Sequence, residues 1–177
     1  MSADADAVRS WLSVVRAYNL CDALMTQRLA VLGVRTTEHE VLANLLREPG
    51  ISQQTLAARC FSAKSHISSL LGQLEERGLV RRDADPADAR AKRLSLTRPG
   101  EALARRTGAV QAEVVKLMAQ ALPARDRALV ERSMNRVSEA LAATLVASPK
   151  PSRSRRAARR RAPRLGSAIA LRGSRDA

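Results

Sequence analysis

The stretch SAKSHISSLLGQLEERGLV, residues 62–80, decides how the rest of the chain is read. A step of about 100° per residue, the α-helical turn, puts Ile67, Leu70, Leu71 and Leu74 on one side. The opposite side holds Ser65, Ser69 and Gly72. His66 and Gln73 lie on one flank, Lys64 and Ser68 on the other. Ser and Gly are mediocre to poor helix formers, so this face carries a local cost. A helix that merely faced water would more readily carry Glu, Lys or Ala. Short side chains let a helix sink into the DNA major groove, where Ser, Gln and His hydrogen-bond base edges or phosphates. The helix N-terminus adds free N–H groups for a phosphate. From Gly50 to Leu74 there is no Asp or Glu; carboxylates resume at Glu75 and Glu76. On the helix alone, an ordinary amphipathic helix with a plain polar face fits equally well, so its neighbours decide.

Upstream, residues 5–32 repeat apolar groups at helical spacing, from Val8, Trp11 and Leu12 to Leu29 and Leu32, and Gly33 is placed as the residue just past the C-cap. A second helix follows in TTEHEVLANLLREPG, with Thr37 and Glu40 as a capping box and Pro49-Gly50 as the stop. Ser52 caps a third helix that buries Leu56, Ala57 and Cys60, and Phe61-Ser62 separate it from the helix quoted above. Downstream, 79–83 and 92–97 read as two short strands around a polar turn at Asp85-Pro86. The helical period then returns for two long helices, broken at Pro123 and running to about residue 147. The expected fold is mainly α: a winged helix-turn-helix (about 52–78) with a two-stranded wing hairpin (about 79–97), flanked by long helices (about 5–32 and 98–147).

Composition agrees. The 177 residues carry 31 Lys and Arg against 17 Asp and Glu, a net charge of +14, which favours an anionic partner. Much of it lies in 148–177, where ten basic residues and one acid give +9; residues 1–147 hold 21 basic and 16 acidic groups, or +5. That basic, low-complexity tail is expected to be disordered. It reads either as a non-specific nucleic-acid arm or as an extension from an Arg-rich genome. Aromatics are 2% of the chain, so Leu, Val and Ala must build the core. Cys21 and Cys60 give neither a disulfide framework nor CxxC, which fits a reducing cytoplasm. No signal peptide or bilayer-spanning run is apparent. No P-loop, GxGxxG or GxSxG is present, so no enzyme and no cofactor is expected.

The segment from Ile51 to Leu103 resembles the core of the MarR family of bacterial transcription regulators. The likeness is carried by Leu56-Ala57, Lys64-Ser65, LEERGLV (74–80), DPADAR (85–90) and LTRPG (96–100), and it extends over roughly 7–147. The resemblance implies a homodimer on double-stranded DNA, with a helical dimerisation region at about 5–32 and 98–147. Its recognition helices would enter successive major grooves of a pseudo-palindrome, and a small-molecule effector, commonly an aromatic acid, would modulate it. It further implies that Arg90 enters or approaches the minor groove and that Asp88 holds its guanidinium. Position 89 is Ala where the family often has a second Arg, leaving Lys92 and Arg93 as partial substitutes.

The DNA-binding candidates are therefore Lys64, Ser65, His66, Ser68, Ser69 and Gln73 on the helix, and Arg82, Asp88, Arg90, Lys92 and Arg93 on the wing. The wing charges also fit a solvated hairpin paired with its own acids. His39 is the one effector-site candidate, with a partly exposed helix residue as its plainer reading. Cys21 and Cys60 read as core thiols, and the two histidines form no metal-ligand pattern. The leading function is a cytoplasmic, nucleoid-associated transcription regulator, expected to act as a repressor. Two other readings are a nucleoid-type architectural protein driven by the tail and a winged helix used for protein contacts.

Overall fold

The computed structural model describes residues 3–85 and 92–147. The chain divides into two units, 1–123 and 124–177. In the first, α1 (Ala3–Ala30) is followed by α2 (Thr36–Arg47), β1 (Ile51–Ser52), α3 (Gln53–Arg59), α4 (Lys64–Glu76), β2 (Val80–Ala84), β3 (Lys92–Leu96) and α5 (Arg98–Gln120). The second contains α6 (Ala124–Ala147). The expected wing tip, with Asp88 and Arg90, and the tail from 148 lie outside the described residues.

The main core is aliphatic. Val41, Leu42 and Leu45 of α2 meet Leu56 of α3, the Ile67–Leu70–Leu71–Leu74 stripe of α4, and Val80, Leu94 and Leu96 of the sheet. A separate seam of Met25, Leu29 and Val114 joins α1 to α5, with Cys21 and Val110 beside it. Arg28 and Glu113 add an exposed ion pair across that seam at 2.9 Å.

Two local expectations are corrected. The sheet has three strands in the order β1-β3-β2, because Ile51 and Ser52 pair antiparallel with Leu94 and Arg93. The expected two-stranded wing is thus zipped at its base to the start of α3, where Ser52 also accepts the Thr55 N–H at 3.0 Å. The cap of α2 is not Thr37 with Glu40. Arg35 is the N-cap residue, and its backbone N–H donates to Glu38 Oε2 at 2.7 Å. Two Glu residues stand near the start of α2, and the buried one closes the helix.

The LTRPG segment is a joint. Thr97 caps α5 by accepting the Gly100 N–H at 3.1 Å, and its hydroxyl donates to the Gly78 carbonyl at 2.6 Å. Its own N–H donates to the Leu79 carbonyl at 3.1 Å. Gly78 takes φ +67°, the left-handed turn that ends α4 and starts the wing. One motif therefore fastens α4, β2 and α5 together.

Candidate nucleic-acid interface

The stripe expected to be buried on α4 is buried, and Lys64, Ser65, His66, Ser68, Ser69 and Gln73 are all exposed. No side chain caps the helix N-terminus at Ala63, and no acid stands in its first turn. Lys64 Nζ donates to Gln54 Oε1 at 3.0 Å, and Gln53 Nε2 donates to the Lys64 carbonyl at 3.4 Å. These bonds set the angle between the two helices of the motif. Gln73, at the far end, accepts Arg35 Nη2 at 2.6 Å and so is held toward α2.

The wing runs beside this face. Arg82 turns back onto α4: its Nε lies 3.2 Å from Glu75 Oε2, and Nη2 donates to the Ser68 carbonyl at 3.5 Å. In this structure Arg82 positions the wing against the helix. Arg93 pairs with Asp85 at 2.9 Å, and Lys92 is exposed.

At the start of α2, Glu38 is 4% exposed. Its Oε1 receives Arg35 Nη2 at 3.1 Å and Arg77 Nη1 at 2.9 Å. Burial pushes its carboxyl up, but the Arg35 N–H, the Arg35 side chain and the charges of Arg35 and Arg77 outweigh it, and the net shift is downward. This node ties the start of α2 to the end of α4.

A cavity of about 240 Å³ opens among α1, α2 and α5. Facing stripes line it: Tyr18, Cys21, Asp22 and Met25 from α1, and Thr36, His39, Glu40, Ala43, Asn44 and Arg47 from α2. Gln111 of α5 closes one side. His39 is 4% exposed. Burial pushes its pKa down, the hydrogen bond with Gln111 opposes this only partly, and the ring is neutral at pH 7. Its Nδ1 is buried without a hydrogen-bond partner. Cys60 has its pKa raised by burial and by the Glu40 charge, the opposite of a reactive thiolate. Among the described residues no group of His, Cys, Asp and Glu could hold a metal ion.

Residues 32–91 match the model of the MarR family. The transcriptional regulator HosA of Escherichia coli O111:H- is 39% identical over 64 residues, covering 36% of this chain and 47% of HosA. The chain thus spans about half the length of the curated relatives it matches. The PcaV transcriptional regulator from Streptomyces coelicolor, solved with its natural ligand, is 26% identical with a TM-score of 0.63, over 80% of this chain and 97% of PcaV. Residues 32–91 are a MarR-family segment. The S. aureus MepR–DNA complex shares the fold, with a TM-score of 0.67 at 20% identity over 74% of this chain and 96% of MepR. The relatives in this family are transcription regulators, not enzymes. No helix among the described residues is long and apolar enough to cross a membrane.

Of the residues that line this cavity, the sequence singled out His39 and not Asp22, Glu40 or Arg47. The signal was the polar spacing 36, 39, 40, 43, 44, 47 on α2, a one-sided stripe that reads equally well as a solvated face.

Proposed function

We propose that this protein is a sequence-specific, DNA-binding transcription regulator, a repressor that binds a pseudo-palindromic operator as a homodimer in the cytoplasm and is released by a small-molecule effector. The observation that carries this reading is the exposed, acid-free Lys-Ser-His-Ser face at the start of α4, with the wing strands beside it. Lys64 and the helix N-terminus would meet phosphate, while Ser65, His66, Ser68 and Ser69 would meet base edges. On the wing, Lys92, Arg93 and Arg90 would hold the backbone, with Asp88 orienting Arg90. That MepR was solved with DNA supports the assignment.

Dimerisation is supported by apolar surface. On α1, Val8, Trp11, Leu12 and Tyr18 stand exposed, with Trp11 at 62%. On α6, Leu129, Val137, Leu141 and Leu145 stand exposed. Solitary exposed apolar residues are ordinary, but repeated rows along long helices mark a contact surface. Two such copies would present recognition helices to half-sites about 34–36 Å apart.

The effector would occupy the α1–α2–α5 cavity, and an aromatic acid is the first class to test. PcaV, solved with its natural ligand, supports a ligand-responsive reading.

The direct test is selection of fragmented genomic DNA by residues 1–147 and by the full-length chain, at about 150 mM salt. A palindrome enriched by both is expected. Retention by the full chain alone, without a motif, would replace this reading with an architectural protein driven by the tail. Lys64→Ala is expected to weaken binding to all sequences alike. It should also make the dependence of log K on log salt shallower by about one, the share of a single neutralised phosphate.

A further inference from the structure

Gln73 is held by a group that dictates which way its amide faces. Arg35 Nη2 donates to Gln73 Oε1 at 2.6 Å. A guanidinium has N–H donors and no acceptor, so the amide oxygen must face Arg35 and the NH2 must face away. Arg35 is itself fixed. The same Nη2 donates to Oε1 of the buried Glu38 at 3.1 Å, and Arg77 Nη1 donates to that oxygen at 2.9 Å. A chain of three side chains therefore runs from the root of α2 to the exposed face of α4. Among the described residues the Gln73 NH2 has no protein partner. Gln73 follows His66 by seven residues, so it lies within about 20° of His66 around the helix and about 10.5 Å further along. Both are exposed. A straight helix departs from a curving groove toward its far end, and a glutamine there reaches further than the serines of the first turns.

We propose that Gln73, oriented by Arg35, reads guanine and rejects adenine at one position of each operator half-site, with Arg35 as the positioning residue. The inference rests on the DNA-binding reading given above and adds one base preference to it. An unrestrained glutamine amide pairs with adenine at two points, its oxygen accepting from N6–H and its nitrogen donating to N7. Arg35 takes that oxygen and turns it toward α2. A second N–H donor arriving there would meet the guanidinium charge. What faces the groove is the NH2. Guanine presents two acceptors to it, N7 and O6. Adenine presents N7 beside its own N6–H donor, and cytosine presents a donor alone. Guanine is therefore favoured, and a donor set against a donor penalises the other two. The Arg35 charge behind the amide polarises its N–H bonds and strengthens the same preference.

The test is selection of binding sites from a random duplex DNA library by the full-length protein, in parallel with Gln73→Ala, Arg35→Ala and Arg35→Lys. Wild type should favour guanine over adenine about fivefold at one position of each half-site, the worth of one hydrogen bond. Gln73→Ala should level that position and leave the others unchanged. In Arg35→Ala the released oxygen can turn outward, and adenine at the same position should rise about fivefold relative to guanine. Arg35→Lys keeps a donor on the oxygen and should follow wild type. The backbone N–H that caps α2 survives in every variant, and Arg77 still pairs with Glu38, so each is expected to fold. A base preference, moreover, does not depend on the fraction of protein that is folded. Adenine favoured by wild type, or a preference unchanged in Gln73→Ala or in Arg35→Ala, would overturn the inference and leave the DNA-binding reading standing. So would a uniform loss of affinity in Arg35→Ala with no change of base, which would make Arg35 a phosphate contact. Enrichment of no motif by wild type would overturn the sequence-specific reading, and this inference with it.

Discussion

Gly100→Ala is expected to cost about 3 kcal/mol of stability or more, enough to leave much of the protein unfolded when it is expressed. A Cβ at this position would lie 1.9 Å from the Leu79 carbonyl oxygen and 2.9 Å from its carbon. The Leu79 backbone cannot retreat cheaply. Its N–H donates to the Leu74 carbonyl at 2.9 Å, and its own carbonyl accepts Thr97 at 3.1 Å. Shifting it would pull on the end of α4, the root of β2 and the cap of α5 together. Thermal melting of the full-length chain measures this. Gly108→Ala is the control, because that glycine lies within α5 and a Cβ there meets nothing within 4 Å. It should raise stability by up to about 1 kcal/mol through helix propensity alone. Equal behaviour of the two variants would show that the Leu79–Gly100 approach is looser in solution.

Glu38→Ala is expected to lower stability by about 2 kcal/mol, and the melting temperature by roughly 4–8 °C. The loss combines the cap on Arg35 with the bonds to two guanidinium groups. Both arginine side chains are more than a third exposed, so solvent screening keeps the ion-pair share small. The pH dependence has a definite sign. The folded carboxyl titrates below its ordinary value near 4.5, so its stabilisation is complete above that value. It disappears as the pH falls through the lower, folded pKa. Urea unfolding of wild type and Glu38→Gln between pH 7 and pH 3 should show curves that converge in acid. Parallel curves would mean that Glu38 is not ionised in its site.

The helices and the buried face of α4 were legible because periodicity reports which side of a helix is greasy, and Ile67, Leu70, Leu71 and Leu74 report it without ambiguity. The third strand was not legible. Ser52 read only as a cap, and only pairing with Leu94 and Arg93 makes Ile51 and Ser52 a strand. The cap of α2 was misread because Glu38 and Glu40 both stand near the helix start, and choosing between them needs Arg77, 39 positions downstream of Glu38. The cavity was largely hidden for a similar reason. Asp22 and Glu40 each look like surface acids until α1 is laid against α2. The charge of Arg82 was visible in sequence, while its pairing with Glu75 was not.

The Glu38 node also gives α4 a fixed end. The helix has 13 residues, so it is about 20 Å long. Arg77 pins its C-terminal end to α2, whereas at the other end the first turn, ahead of the buried Ile67, is tied to α3 by exposed side-chain bonds. A rod pivoted at one end moves most at the other. A tilt of about ten degrees around Arg77 would carry Ser65 sideways by about 3 Å, the length of one hydrogen bond. The same α2 that holds the pivot also forms the cavity wall. A small shift of that wall would therefore arrive, magnified, at the first turn of α4.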